Sequence, residues 1–246
     1  MTNILILGNS HVGAFKEAQS AFNDIHPGIE LSFFSVSEPY FGKGRTNKDG
    51  VYTPHGNATA REKVIFGSSH GTVDFSDYDH VLVVGLRTPQ QFMSDVLDNH
   101  SVLEVADAAH GRVVTKSFVD ALSRFQTQKT ISRWSAILGK QFTGTIYAAP
   151  FPGISKLTAK GRVDRRARAS LNLHQHSQAP WLYDQWRADL ESQMSDLPAT
   201  FLWQPVETVQ GPFVTKAEYV APDHIHMNEK FGLVLLENYV RKMNVV

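Results

Sequence analysis

The stretch ILILGNSHVGAF, Ile4 to Phe15, decides the fold. Four apolar residues, Ile4 to Leu7, run without a polar interruption and stop at Gly8, as a strand buried on both faces and ended by a tight turn should do. Beyond the turn, Val12, Phe15, Gln19 and Phe22 recur at helical spacing, with Ala14, Ala18 and Ala21 as small fillers, until Pro27 and Gly28 stop the helix. The rhythm of strand, turn and helix is that of a parallel sheet, because parallel neighbours need a crossover of helical length.

Working outward, the same rhythm repeats. Glu30 to Val36 (ELSFFSV) and Val81 to Val84 (VLVV, closed by Gly85) read as the second and third strands. From Val113 to about Lys140 the apolar residues Val114, Phe118, Leu122, Phe125, Ile131, Trp134 and Leu138 predict one long helix or two shorter ones. Thr143 to Ala149 (TGTIYAA) supply a fourth strand, ended by Pro150 and Pro152. Trp181, Leu182, Trp186, Leu190 and Met194 predict a helix, followed by a fifth strand around Thr200 to Trp203. A last helix starts near Asn228 and runs through Phe231, Val234, Leu235 and Tyr239. Five strands alternating with helices specify an α/β fold with a five-stranded parallel, doubly wound sheet.

Two polar stretches interrupt this pattern. Residues 38–60 carry Gly42, Gly44, Gly50 and Gly56 with Pro39 and Pro54, which predicts a long functional loop rather than packed core. Residues 155–179 form the other. Its segment from Lys156 to Arg168 holds Lys156, Lys160, Arg162, Arg165, Arg166 and Arg168 against Asp164 alone. Either a basic lid that attracts an anionic substrate or a solvated loop accounts for that bias.

At 246 residues the chain suits one domain, 1–246, with a substantial core. Its 24 basic and 24 acidic residues balance, which removes the electrostatic argument for a general nucleic-acid or membrane-surface binder. The absence of cysteine excludes disulfides, a thiol nucleophile and thiolate metal sites. The opening MTNILILGNS has no basic leader and too short an apolar run for a signal peptide or a membrane span, so a cytoplasmic location is the expectation. No internal repeat is present.

In open α/β sheets ligands bind beyond the carboxyl ends of the strands. Those ends carry Ser10 after the first strand, Gly42 and Gly44 after the second, Arg87 after the third and Pro150 to Gly153 after the fourth. Asp223 and His226 follow the fifth. In GNSH, Gly8 to His11, the glycine permits a sharp exit from a buried strand and places a serine at a helix N-terminus, where free N–H groups favour developing negative charge. Serine needs an adjacent base to act as a nucleophile. DHIH, Asp223 to His226, offers one, since a carboxylate three residues before an imidazole can orient the ring and stabilise the imidazolium. The alternative for Ser10 is a plain N-cap, and for Asp223 and His226 a cap and a satisfied histidine before a helix.

With GNS at Gly8 to Ser10 closing the first strand and DHIH just before the final helix, the chain resembles the SGNH or GDSL-like hydrolases across nearly its whole length. The resemblance implies a flavodoxin-like three-layer α/β/α fold. It also implies an esterase, carbohydrate deacetylase, lipase or acyl-transferring activity, with Ser10, Asp223 and His226 catalytic. A family glycine after the second strand falls on Gly44 in GKGRT, with Gly42 close behind, and would join the Ser10 N–H in the oxyanion hole. The family's asparagine position falls on Arg87 in GLRT, a departure that replaces an amide by a longer, permanently charged donor able to meet an oxyanion or grip an acidic group. Asn9 stands where the family has aspartate and can still brace the turn.

The expected function is therefore a serine esterase acting on a small O-acyl ester, an O-acetyl group on a carbohydrate being the analogue, with a small-molecule or glycan substrate. An acyltransferase acting on glycan or envelope hydroxyls, and a catalytically impaired glycan-binding or assembly protein, are the alternatives. The HxH pairs His174 with His176 and His224 with His226 admit a metal reading, but neither a carboxylate-rich pattern nor HExxH accompanies them. No metal and no cofactor is expected. Trp181 and Trp186 suit either sugar stacking or a buried helix face, and their spacing favours the core. His11 either lines the site or only begins the helix.

Overall fold

The computed structural model describes residues 1–38, 40–56, 64–66, 71–87, 96, 100–105, 111–139, 144–150, 152–155, 177–195, 197, 199–212, 214–223 and 226–243. In chain order these form β1 (Thr2–Gly8), α1 (Val12–Ile25), β2 (Ile29–Val36), β3 (Arg45–Thr46), β4 (Val51–Thr53), β5 (Val64–Phe66), β6 (Val73–Asp74) and β7 (His80–Leu86). There follow β8 (His100–Val102), β9 (Arg112–Val114), α2 (Lys116–Leu138), β10 (Thr145–Pro150), β11 (Ile154–Ser155) and α3 (Ala179–Met194). The chain closes with β12 (Thr200–Phe201), β13 (Val209–Gly211), β14 (Val214–Thr215) and α4 (Glu229–Met243).

The main sheet has the order β12-β10-β7-β1-β2-β5. Its first five strands are parallel, and counted along the chain they run 5-4-3-1-2, the flavodoxin-like order. The sixth, β5, is a short antiparallel addition beside β2 that the sequence pattern did not announce. Alternation along the central strands splits the core in two. Leu5, Leu7, Val81, Val83, Ile146 and Ala148 face α2 and α3. Ile4, Ile6, Leu82, Val84, Tyr147 and Ala149 face α1 and α4. The central runs are apolar without a break because both faces are covered, so the result is three layers.

α1 and α4 approach closely because Gly232 of α4 lies on the backbone of Ala14, where a β-carbon would collide with the Ala14 carbonyl. On the other face α2 departs from the spacing read in the sequence. It is a single helix, Val114 belongs to β9, and Phe118 and Phe125 stand about half exposed at 52% and 51%. Val119, Ser123 and Thr127 are buried instead, before Trp134, Ile137 and Leu138 take over. Small residues at 123 and 127 let the backbone come near its neighbour, and α2 packs against α3, so size overrode hydrophobicity in choosing the buried face. Trp186 of α3 is core, whereas Trp181 is only partly buried.

Residues 38–56 also differ from the open loop expected of them. β3 and β4 pair antiparallel and β4 pairs with β6 in a small sheet of three strands, while Phe41 and Tyr52 are fully buried. Two aromatic anchors among the glycines convert this stretch into a packed flap. Among the described residues no helix is long and apolar enough to cross a membrane.

Candidate active site

β1 delivers the GNSH turn to the carboxyl edge of the sheet. Gly8 is needed there because a side chain would meet the Val84 carbonyl of β7 at 2.5 Å. Asn9, almost fully buried, holds the turn with its side chain: Nδ2 donates to the Gly85 carbonyl at 2.9 Å, and Oδ1 accepts the His11 N–H at 3.1 Å. Gly85 has φ +74°, and a β-carbon there would fall on the Asn9 amide, so the GNS and VVG segments require each other. The Ser35 hydroxyl donates to the Asn9 carbonyl at 2.7 Å. Asn9 thus braces the turn as the sequence reading allowed. Ser10 is left exposed, and its N–H bonds no described group.

The loop before α4 supplies the other half. An isolated antiparallel bridge joins Val220 to Met227, and the Ala221 N–H donates to the His226 carbonyl at 2.8 Å, which ties the two ends of the segment together. Asn228 finishes it: its Oδ1 accepts the Phe231 N–H at 3.2 Å, capping α4, while Nδ2 donates to the Glu218 carbonyl at 2.9 Å. Within the loop the Asp223 carboxylate takes the His226 backbone N–H on Oδ1 at 2.9 Å and meets ring Nδ1 with Oδ2 at 2.5 Å. Ring Nε2 lies 2.9 Å from Ser10 Oγ, across 216 positions of sequence. With Nδ1–H donated to the carboxylate, Nε2 presents its lone pair to the serine hydroxyl. The side chains of His226 and Asp223 are 38% and 49% exposed, so this row of bonds opens to solvent.

His11, which the sequence left between two roles, is buried beneath this row, 4% exposed, with its ring centroid 5.5 Å from that of His226. Burial first, and the neighbouring His226 second, lower its pKa to about 3, while Asp223 opposes them. His11 is therefore neutral at ordinary pH. An imidazolium forming on His226 faces no second cation there.

The oxyanion candidates separate. The Gly44 N–H donates to the Phe41 carbonyl at 2.9 Å, and the same carbonyl accepts the Tyr52 hydroxyl at 3.1 Å. The β-carbon space of Gly44 is filled by the Tyr52 ring. Gly44 is thus glycine for packing and its amide is committed to the turn, a correction to its expected place as the first oxyanion donor. Gly42 differs: its N–H bonds no described group, and a β-carbon there would meet only the Glu38 carboxylate at 3.1 Å.

Arg87 leaves the end of β7 with a 46% exposed side chain, its Nε 3.8 Å from Glu38 Oε1. The same oxygen accepts from Asn9 Nδ2 at 3.3 Å. Glu38 therefore links the turn before Ser10 to Arg87, whereas in the sequence it stands out only as the start of a polar stretch. The available signal was a carboxylate two residues past a buried strand, at the edge where ligands bind. The basic segment 156–168, His174, His176 and His224 lie outside the described residues.

No protein-family model and no curated protein matches the chain. Among solved structures it is similar to an extracellular lipase from Streptomyces rimosus, at 12% identity over 97% of this chain and 99% of that one, with a TM-score of 0.42. It is also similar to the periplasmic domain of a lipopolysaccharide acetyltransferase from Salmonella ser. Paratyphi A, at 10% identity over 99% and 84% of the two chains, TM-score 0.42. A DUF4886 family protein from Bacteroides uniformis gives 8% identity over 94% and 78%, again at 0.42. Likenesses this distant carry no argument about chemistry, which rests on the residues themselves.

Proposed function

We propose that the chain is a serine esterase of the SGNH type, with Ser10 as nucleophile, His226 as general base and acid, and Asp223 as the group that orients the imidazole. The observation that carries this reading is the continuous contact from Asp223 Oδ2 through His226 to Ser10 Oγ, at 2.5 and 2.9 Å.

In this scheme His226 Nε2 removes the Ser10 proton as Oγ bonds to the ester carbonyl carbon, whose π electrons move to oxygen. The oxyanion is met by the N–H groups of Ser10 and Gly42, with the Arg87 guanidinium beside them. Collapse breaks the bond to the alkoxy oxygen, which takes the proton from His226 and leaves as the alcohol. Water, deprotonated by the same ring, then releases the acyl group from Ser10. The substrate is a small O-acyl ester, with an O-acetyl group on a carbohydrate as the working choice by analogy alone.

A second reading keeps the acyl-enzyme and passes the group to an acceptor hydroxyl. The exposure of Ser10 and His226 favours it, because an acceptor has the same access as water. Labelling by a fluorophosphonate, lost in Ser10→Ala, tests both readings. Product analysis with and without an added alcohol separates them. A folded wild-type protein that neither reacts with the probe nor cleaves aryl acetates points instead to the non-catalytic binding alternative.

A further inference from the structure

We infer that the cleft beside the Ser10 centre is a subsite for an anionic group, so that the substrate is an ester whose larger fragment bears a carboxylate or phosphate. This rests on the esterase reading for the word substrate, but the subsite itself rests on the cleft. A cavity of about 480 Å³ lies between the 38–45 turn, the end of β7 and the C-terminal half of α2. That volume falls within the range of small-molecule sites.

Its lining includes Lys43, Arg45, Arg87 and Arg133, against Glu38 as the one carboxylate. An excess of three permanent positive charges over one cavity is a local feature in a chain whose charges balance. Glu38 does not cancel it. Its Oε1 accepts from Asn9 and stands 3.8 Å from Arg87, while Lys43, Arg45 and Arg133 have no carboxylate within ion-pair distance among the described residues. Concave walls concentrate such a field on whatever enters.

The cleft also has the right address. Gly42 and Arg87 both line it, and Glu38, on its wall, is bonded to Asn9, the residue before the serine. Glu38 ties this wall to the turn that carries Ser10, so a molecule whose ester carbonyl sits at Ser10 can extend its remainder into this cavity. By contrast, the cavity on the α1 and α4 side, below His11, holds only about 20 Å³ and is walled mainly by apolar residues such as Phe15, Met227 and Phe231. It has no room for the larger fragment.

The test uses 4-acetoxyphenylacetate and its neutral isostere 4-acetoxyphenylacetamide, which differ in charge at a site insulated from the ester. Binding of both intact esters to Ser10→Ala is measured by calorimetry at low salt and in 0.5 M sodium chloride. We expect the acid to bind about tenfold more tightly at low salt, and the preference to shrink as salt screens the cleft. In a Ser10→Ala protein that also carries Lys43→Gln and Arg133→Gln, both at exposed positions, the preference should fall below about threefold.

Equal affinities, no measurable binding of the acid, or a preference that survives the paired substitutions overturns the inference. Turnover by the wild-type protein is followed separately. Preferential binding with no hydrolysis of either ester removes the esterase reading and leaves the anionic subsite standing. Hydrolysis of both with equal binding does the reverse.

Discussion

The two sides of Ser10 are built in opposite ways. On the His226 side, three side chains from two short motifs are hydrogen-bonded in a row, and the partner carboxylate sits three residues from the ring it orients. On the Arg87 side, the groups come from the turn after β2, the end of β7 and the flank of α2. They are joined loosely through Glu38, with its 3.8 Å approach to Arg87. The first side is fixed by local geometry and, in the proposed mechanism, handles a proton, so small displacements matter there. The second is an open field of charge that, on the proposed reading, tolerates movement and selects by electrostatics. Chemistry and selectivity can then be broken separately.

The largest effect belongs to the bonded side. Ser10→Ala removes the only candidate nucleophile in the row and should lower kcat for an aryl acetate by about 10⁴-fold, with an unchanged melting temperature because Ser10 is exposed. Retained turnover would refute the mechanism. Asp223→Asn comes next. Asp223 is 49% exposed, so water already screens its charge, and the loss should be smaller than at a buried triad, about 10² to 10³-fold in kcat. A drop as large as that of Ser10→Ala would mean that the carboxylate acts in a drier setting than this structure gives it.

The same contrast explains what the sequence could reveal. β1, β7 and β10 are legible because both faces are buried and their apolar runs are unbroken, and β2 because Leu31, Phe33, Phe34 and Val36 mark a strand in spite of Glu30, Ser32 and Ser35. Ser10, Asp223 and His226 are legible as candidates because GNS and DHIH are compact words at strand ends. β5 is not, since its three residues are recruited by an edge. Nor is the buried face of α2, where Ser123 and Thr127 are chosen for size while Phe118 is turned out. The Arg87 side escaped a full reading because its residues lie far apart in the chain. Glycines 42 and 44 look alike in sequence, and the Tyr52 ring and the Gly44 N–H bond to the Phe41 carbonyl tell them apart.

That pair offers the next test. Gly44→Ala drives a β-carbon into the Tyr52 ring and should cost about 2 to 3 kcal/mol of stability, read by urea denaturation, through overpacking of a filled site. Gly42→Ala meets only the end of the Glu38 side chain and should cost less than about 1 kcal/mol. Its effect should appear in kcat instead, about tenfold, as the donor and Glu38 shift. Equal losses of stability at both positions would dissolve the distinction between a packing glycine and a donor glycine.

The last test concerns His11, which lies under the bonded side and takes no proton at ordinary pH. Its pKa, lowered to about 3 from the usual 6.5, means that the unfolded chain binds a proton more readily than the folded one. Stability from this residue is therefore complete above pH 6.5 and is lost as pH falls toward 3. Between pH 7 and pH 4.5 the wild-type protein should lose about 2.5 kcal/mol relative to His11→Gln, which cannot titrate but keeps a polar side chain of similar reach. Urea titrations of both proteins at the two pH values give the difference directly. A constant difference would show that folding leaves the His11 pKa unchanged, with the ring hydrated or paired when it is protonated.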